Sequence, residues 1–280
     1  MPLAEKSPLR FIRDDSLLKR IASAALLAPT ALAATYVGGA IFSAVVSFAA
    51  IVMVFEWTRM VEKREFSKAF YALAAACAAA CCFAAAGFFD SAFGICAAGG
   101  VLAAFLSLRG ARKPGWVIFG AAYIVAPSVA LIWLRGEVEN GRALTFLLFA
   151  IVWAADTGGY VGGRLVGGPK MSPAISPAKT WAGAVGGLIM GAIAGAVGGL
   201  WIYGEGPIAA YVGAGGLLGL ASILGDMAES AIKRIFGLKD TSQFIPGHGG
   251  ALDRLDGMIF ATTAMTSALF LHMLFRGMQG

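Results

Sequence analysis

Long stretches without a charged residue alternate along the chain with short stretches that hold nearly all of its charge. No Asp, Glu, Lys or Arg falls within 21–55, 69–89, 91–108, 114–134, 180–204, 206–225 or 257–275, and 143–163 holds only Asp156. A bilayer core takes about 20 apolar residues per helix. The stretch 21–55 is too long for one span and breaks at Val37-Gly38-Gly39. The pattern therefore predicts an all-α integral membrane protein of nine transmembrane helices, near 20–37, 38–55, 69–88, 91–108, 116–134, 143–162, 181–203, 206–224 and 257–275. A cleaved signal ending at Ala31-Leu32-Ala33 is disfavoured, because the polar segment before the apolar run is long for a signal.

Composition agrees. The chain is 59% hydrophobic and 14% charged, against about 25% charged in a soluble domain. Charge then orients the helices. With the N-terminus cytoplasmic, the segments 1–20, 56–68, 109–115, 163–180 and 225–256 hold 19 of the 22 Lys and Arg. That is the positive-inside bias. The net charge of +6 thus reflects topology and a face toward anionic headgroups, and it gives no reason to expect a nucleic-acid partner. The expected location is the bacterial inner (cell) membrane, with the polar loops in the cytoplasm.

The chain divides into a half of Ala-rich spans, 1–142, and a half, 143–280, with longer polar loops at 163–180 and 225–256. In the first half only Glu56 stands out, and beside Trp57 it reads as an interfacial anchor. The four cysteines (Cys77, Cys81, Cys82 and Cys96) all fall in predicted helices and read as small apolar residues. Gly187, Gly191, Gly195 and Gly199 repeat every four residues, a close-packing face that serves either this chain or a homodimer.

The chemistry gathers in the second half. Ser222, Asp226, Glu229, Ser230 and Lys233 share one face of a helix, and a polar stripe with two acids at membrane depth is costly unless it lines a wet cavity or binds an ion. Downstream, Pro246-Gly247-His248-Gly249-Gly250 forms a tight backbone able to face an anion. Asp253 and Asp256 follow at helical spacing with Arg254 between. Carboxylates converging beside Lys and Arg suit a Mg²⁺–phosphate site. Asp156, inside a predicted helix, is a functional candidate for the same reason of cost. Ser176-Pro177-Ala178-Lys179-Thr180-Trp181 reads as a turn that presents a lysine and two hydroxyls at headgroup level.

These residues resemble the phosphatidate cytidylyltransferase (CDP-diacylglycerol synthase) family. The resemblance rests on Ser230-x-x-Lys233-Arg234, Lys239-Asp240, Pro246-x-His248-Gly249-Gly250-x-x-Asp253-Arg254-x-Asp256, Ser222-x-x-Gly225-Asp226, Asp156-Thr157, Gly163-Arg164 and Ser176-Pro177-x-Lys179-Thr180-Trp181. It covers about 100 residues of the second half in motif detail. Two departures are Ala182, where the family usually has Glu, and Thr157-Gly158-Gly159, where Thr-x-Ala is expected.

The resemblance implies cytidylyl transfer from CTP to phosphatidic acid, giving CDP-diacylglycerol and pyrophosphate. It implies Mg²⁺ on Asp226 and Asp253, with Asp256 as a further ligand, and leaves a second cation open. Asp226, Lys233, Asp253 and Asp256 form the expected catalytic set. Lys233, Arg234, Lys239 and Arg254 would hold the triphosphate, and Lys179 and Arg164 the lipid phosphate. Asp156, Thr180, Ser222, Ser230, His248, Gly249 and Gly250 complete the expected substrate site. A CTP-dependent polyprenol or phytol kinase is the alternative enzyme. A transporter is disfavoured, because the acids cluster at one membrane face and in one half of the chain. The Asp-rich run of CDP-alcohol phosphotransferases is not found.

Overall fold

The computed structural model describes residues 15–108, 114–242 and 249–278. Nine long helices are described: α1 Asp15–Val37, α2 Gly39–Glu62, α3 Lys68–Ala85, α4 Phe89–Ser107, α5 Gly115–Gly136, α6 Gly141–Leu165, α7 Trp181–Tyr203, α8 Ile208–Ile235 and α9 Leu252–Gly277. Among the described residues, eight are long and apolar enough to cross a membrane. The protein is an all-α integral membrane protein.

The break expected at Val37-Gly38-Gly39 is where α1 ends and α2 begins. Gly38 has φ +73°, a conformation glycine adopts without strain. The Arg135 guanidinium lies where a side chain on Gly38 would go. Its Nε donates to the Thr35 carbonyl at 2.7 Å, so a cation also satisfies the open end of α1.

Several helices outrun their charge-free stretches, three of them at the end of the bundle where the polar groups gather. α2 reaches Glu62, α8 reaches Ile235 and α9 starts at Leu252, where the sequence pattern predicted 55, 224 and 257. Hydropathy marks where a helix meets lipid, whereas backbone hydrogen bonding continues wherever partners support it. Here the polar helix ends pack against one another. Within α5 a π turn covers Ala121–Val125. It precedes Pro127, whose missing N–H and ring disturb the preceding turn, and it carries Tyr123, which is buried.

The glycine face of α7 packs inside this chain. A Cβ on Gly195 would come within 2.5 Å of the Gly215 Cα in α8, and one on Gly191 within 3.1 Å of the Gly219 Cα. Backbones approach this closely only where side chains are absent. The opposite face of α7 carries exposed Val185, Ile189, Ile193, Val197 and Trp201, as expected of a lipid-facing surface. The main core draws on both halves of the sequence, from Ala34, Trp57 and Ile124 to Ile232, Leu252 and Ile259.

The 176–181 segment is not a turn. Lys170–Ser172 and Ser176–Thr180 form an antiparallel hairpin, pairing Lys170 with Thr180 and Ser172 with Ser176. Pro177 biases Ser176 toward extended backbone, and a two-stranded ribbon gives proline an edge. The hairpin delivers the chain straight into α7.

Candidate active site

The ends of α2, α6 and α8 and the starts of α7 and α9 meet at one end of the bundle. α8 remains helical past Asp226, so Ser222, Asp226, Glu229, Ser230 and Lys233 do share a face. Two glycines bring α9 against it. A Cβ on Gly225 would meet the Asp256 carbonyl at 2.6 Å, and one on Gly257 would overlap the Ser222 hydroxyl. Ser222, Glu229 and Asp256 are buried there.

Lys233 lies between two acids. Its ammonium stands 2.6 Å from Glu229 and donates to Asp253 Oδ1 at 2.7 Å. Asp253, expected as a metal ligand, is already surrounded by donors. Besides Lys233, it accepts from the Thr241 amide at 3.0 Å, the Thr241 hydroxyl at 3.0 Å and the Gly250 amide at 2.9 Å. A carboxylate has about four acceptor positions, and these four donors occupy them.

Glu56 is the residue that sequence reasoning missed. It is no exposed anchor: it is fully buried within α2. Its Oε1 accepts from the Ser242 hydroxyl at 2.5 Å and the Ala251 amide at 3.0 Å. Its Oε2 accepts from the Leu252 amide at 2.8 Å and lies 3.3 Å from the Thr241 hydroxyl, whose single proton it shares with Asp253. The only sequence signal was an acid closing a long charge-free run. Gly250 explains its own glycine: a Cβ there would lie 2.7 Å from Glu56 Oε1 and would overlap the Thr241 hydroxyl.

A second set of acids faces a cavity of about 1020 Å³. One wall is apolar, built by Leu27 and Ala31 of α1, Phe42 and Val46 of α2, Leu131 of α5 and Trp153 of α6. The other end is charged: Asp156, Arg164, Lys179, Asp226, Asp253, Arg254 and Asp256 line it. The hairpin places the Lys179 ammonium 2.5 Å from Asp226. Arg164 donates to the Tyr160 hydroxyl one turn earlier.

The remaining expected residues lie as follows. The Thr180 hydroxyl caps α7, accepting from the Gly183 amide at 3.1 Å. Arg234 donates to the Ile175 carbonyl at 3.2 Å and the Leu238 carbonyl at 3.1 Å, and so ties the hairpin to the end of α8. Lys239 is exposed after α8, and Ser230 is half-buried. Gly249 has φ +86°. His248 lies outside the described residues.

The donor set around Asp156, Asp226 and Asp256 consists of hard oxygens, which suits Mg²⁺. Among the described residues, no three acids, histidines or cysteines are grouped closely enough to hold a metal ion as they stand. The Lys179 ammonium already stands on Asp226 in this cluster.

A helical membrane bundle with an apolar-walled cavity ending in acids and bases belongs to the class of intramembrane enzymes acting on charged amphiphiles. Comparison with known proteins narrows this. The model of the "Cytidylyltransferase family" matches residues 18–273, and the chain belongs to that family. Phosphatidate cytidylyltransferase of Brucella suis biovar 1 (strain 1330) is 34% identical over 260 residues, 90% of this chain and 92% of the relative. The enzymes of that name from a Synechocystis strain and from Mycobacterium bovis are 45% and 41% identical over 131 and 127 residues. Those matches cover 46% and 45% of this chain, and 44% and 41% of theirs.

Proposed function

We propose that the charged end of the cavity transfers the cytidylyl group of CTP to phosphatidic acid, giving CDP-diacylglycerol and pyrophosphate for phospholipid biosynthesis. The observation that carries this reading is the cavity itself. Its apolar wall suits acyl chains and its charged end suits a phosphate and a nucleotide, so one volume receives both parts of the lipid.

A lipid phosphate oxygen attacks the α-phosphorus of CTP. The bond from that phosphorus to the β-phosphate bridging oxygen breaks, and pyrophosphate leaves with the electron pair. A phosphate monoester is largely dianionic at neutral pH, so the acceptor needs no strong base. The difficulty is bringing two anions together, and positioning with cations answers it. Lys179, on a hairpin at the lipid end, exchanges Asp226 for the lipid phosphate. Arg164 and Arg254 approach from α6 and α9, and Lys239 meets the triphosphate from the loop.

Asp156, Asp226 and Asp256 would hold a divalent cation, Mg²⁺ by donor chemistry, which supplies charge neutralisation on the triphosphate. Asp253 and Lys233 then act as a brace between α8 and α9, and the carboxylate from α6 takes the ligand place that the resemblance implied for Asp253. The site faces the cytoplasm, where CTP is present and where the Lys and Arg concentrate. The N-terminus lies on the same side.

The test uses detergent-purified protein with phosphatidate, Mg²⁺ and CTP labelled on its α-phosphorus. Label passing to the lipid phase, and lost on chelation of the cation, is expected. Label passing only from γ-labelled CTP to a polyprenol would overturn this reading in favour of a lipid kinase.

A further inference from the structure

Glu56 belongs to the half of the chain without signature residues, yet it holds both ends of the signature loop. Its two oxygens each take one donor from Thr241 or Ser242, before the loop, and one from Ala251 or Leu252, after it. Asp253 repeats this arrangement from the α9 side, accepting from Thr241 and Gly250. Two carboxylates on separate helices thus grip the root of one loop. Glu56 also satisfies the first amides of α9, whose N-cap, Ala251, offers no capping side chain. A buried carboxyl group is costly unless hydrogen-bonded, and Glu56 accepts from Ser242, Ala251 and Leu252 while sharing the Thr241 hydroxyl with Asp253.

We infer that Glu56 is a positioning residue for the nucleotide, setting Thr241 and Ser242 against the α9 start that carries Arg254 and Asp256. This rests on the reading that Arg254 and Asp256 meet the nucleotide and its cation. Glu56 touches no reacting atom; it acts through the backbone it holds.

Glu56→Gln is the informative variant, because both oxygens are needed. An amide nitrogen in place of either oxygen would set its own N–H groups against a backbone N–H, of Ala251 or Leu252, and weaken the grip at nearly constant volume. On the full-length protein two readouts are taken: hydrogen exchange of the 249–253 amides, and separate KM values for CTP and phosphatidate. The expected result is faster exchange there, with KM for CTP raised about tenfold or more and KM for phosphatidate changed less than about twofold. Ser242→Ala removes one donor only and should move the same two quantities the same way, by about threefold.

Unchanged exchange in Glu56→Gln, or an equal fall in kcat with both KM values kept, would overturn the inference. Faster exchange with an unchanged KM for CTP would overturn it through the loop's role rather than through the grip. Should Glu56→Gln not fold, Ser242→Ala decides: a rise in KM for CTP supports the inference, and unaltered exchange and KM overturn it.

Discussion

The site holds two sets of carboxylates, and they differ in what surrounds them. Glu56 and Asp253 are each met by three donors of their own, and they share the Thr241 hydroxyl between them. Asp156, Asp226 and Asp256 line the cavity; among the described residues the Lys179 ammonium stands on Asp226 and the Gly257 amide donates to Asp256 at 2.8 Å. A carboxylate whose acceptor positions are filled from within the fold is part of the frame. One whose positions open onto a cavity can be filled by something that arrives. Spacing in the sequence does not separate these cases, since Asp253 and Asp256 are neighbours on one helix and fall into opposite sets.

The difference can be broken by substitution. Asp226→Asn should cut turnover by roughly 10³-fold with the melting temperature unchanged; near-normal turnover in labelled-CTP assays would remove Asp226 from the chemistry. Asp253→Asn should also lose activity, by roughly 10²-fold, but here stability falls with it, by about 3 kcal/mol, because the buried Lys233 is left short of its partner. A thermal melt that stays put for Asp253→Asn, or drops for Asp226→Asn, would erase the distinction between the sets. Lys179→Met should raise KM for phosphatidate about tenfold while KM for CTP changes little, as read in mixed micelles at fixed CTP. The smallest effect is expected from Ala182→Glu, about threefold or less. A loss above about tenfold would show that the start of α7, where the Ala182 carbonyl packs on Gly162, is built differently from the family pattern.

The sequence by itself determined the membrane class, the nine helices and the end of the bundle that carries chemistry, because lipid demands long charge-free stretches and leaves charge only at their ends. It also determined the helical face from Ser222 to Lys233, since the period of an α-helix does not depend on what packs against it. Ser176–Thr180 was legible as a headgroup-level segment but not as a strand, because pairing depends on Lys170–Ser172 across a tight connection. Whether Gly187–Gly199 served one chain or two was decided by where α8 lies, which no local pattern encodes. The role of Glu56 was decided by tertiary structure alone. Its donors stand some 185 to 196 positions away in the chain, and a hydrogen bond is set by distance in space, which the order of residues does not supply.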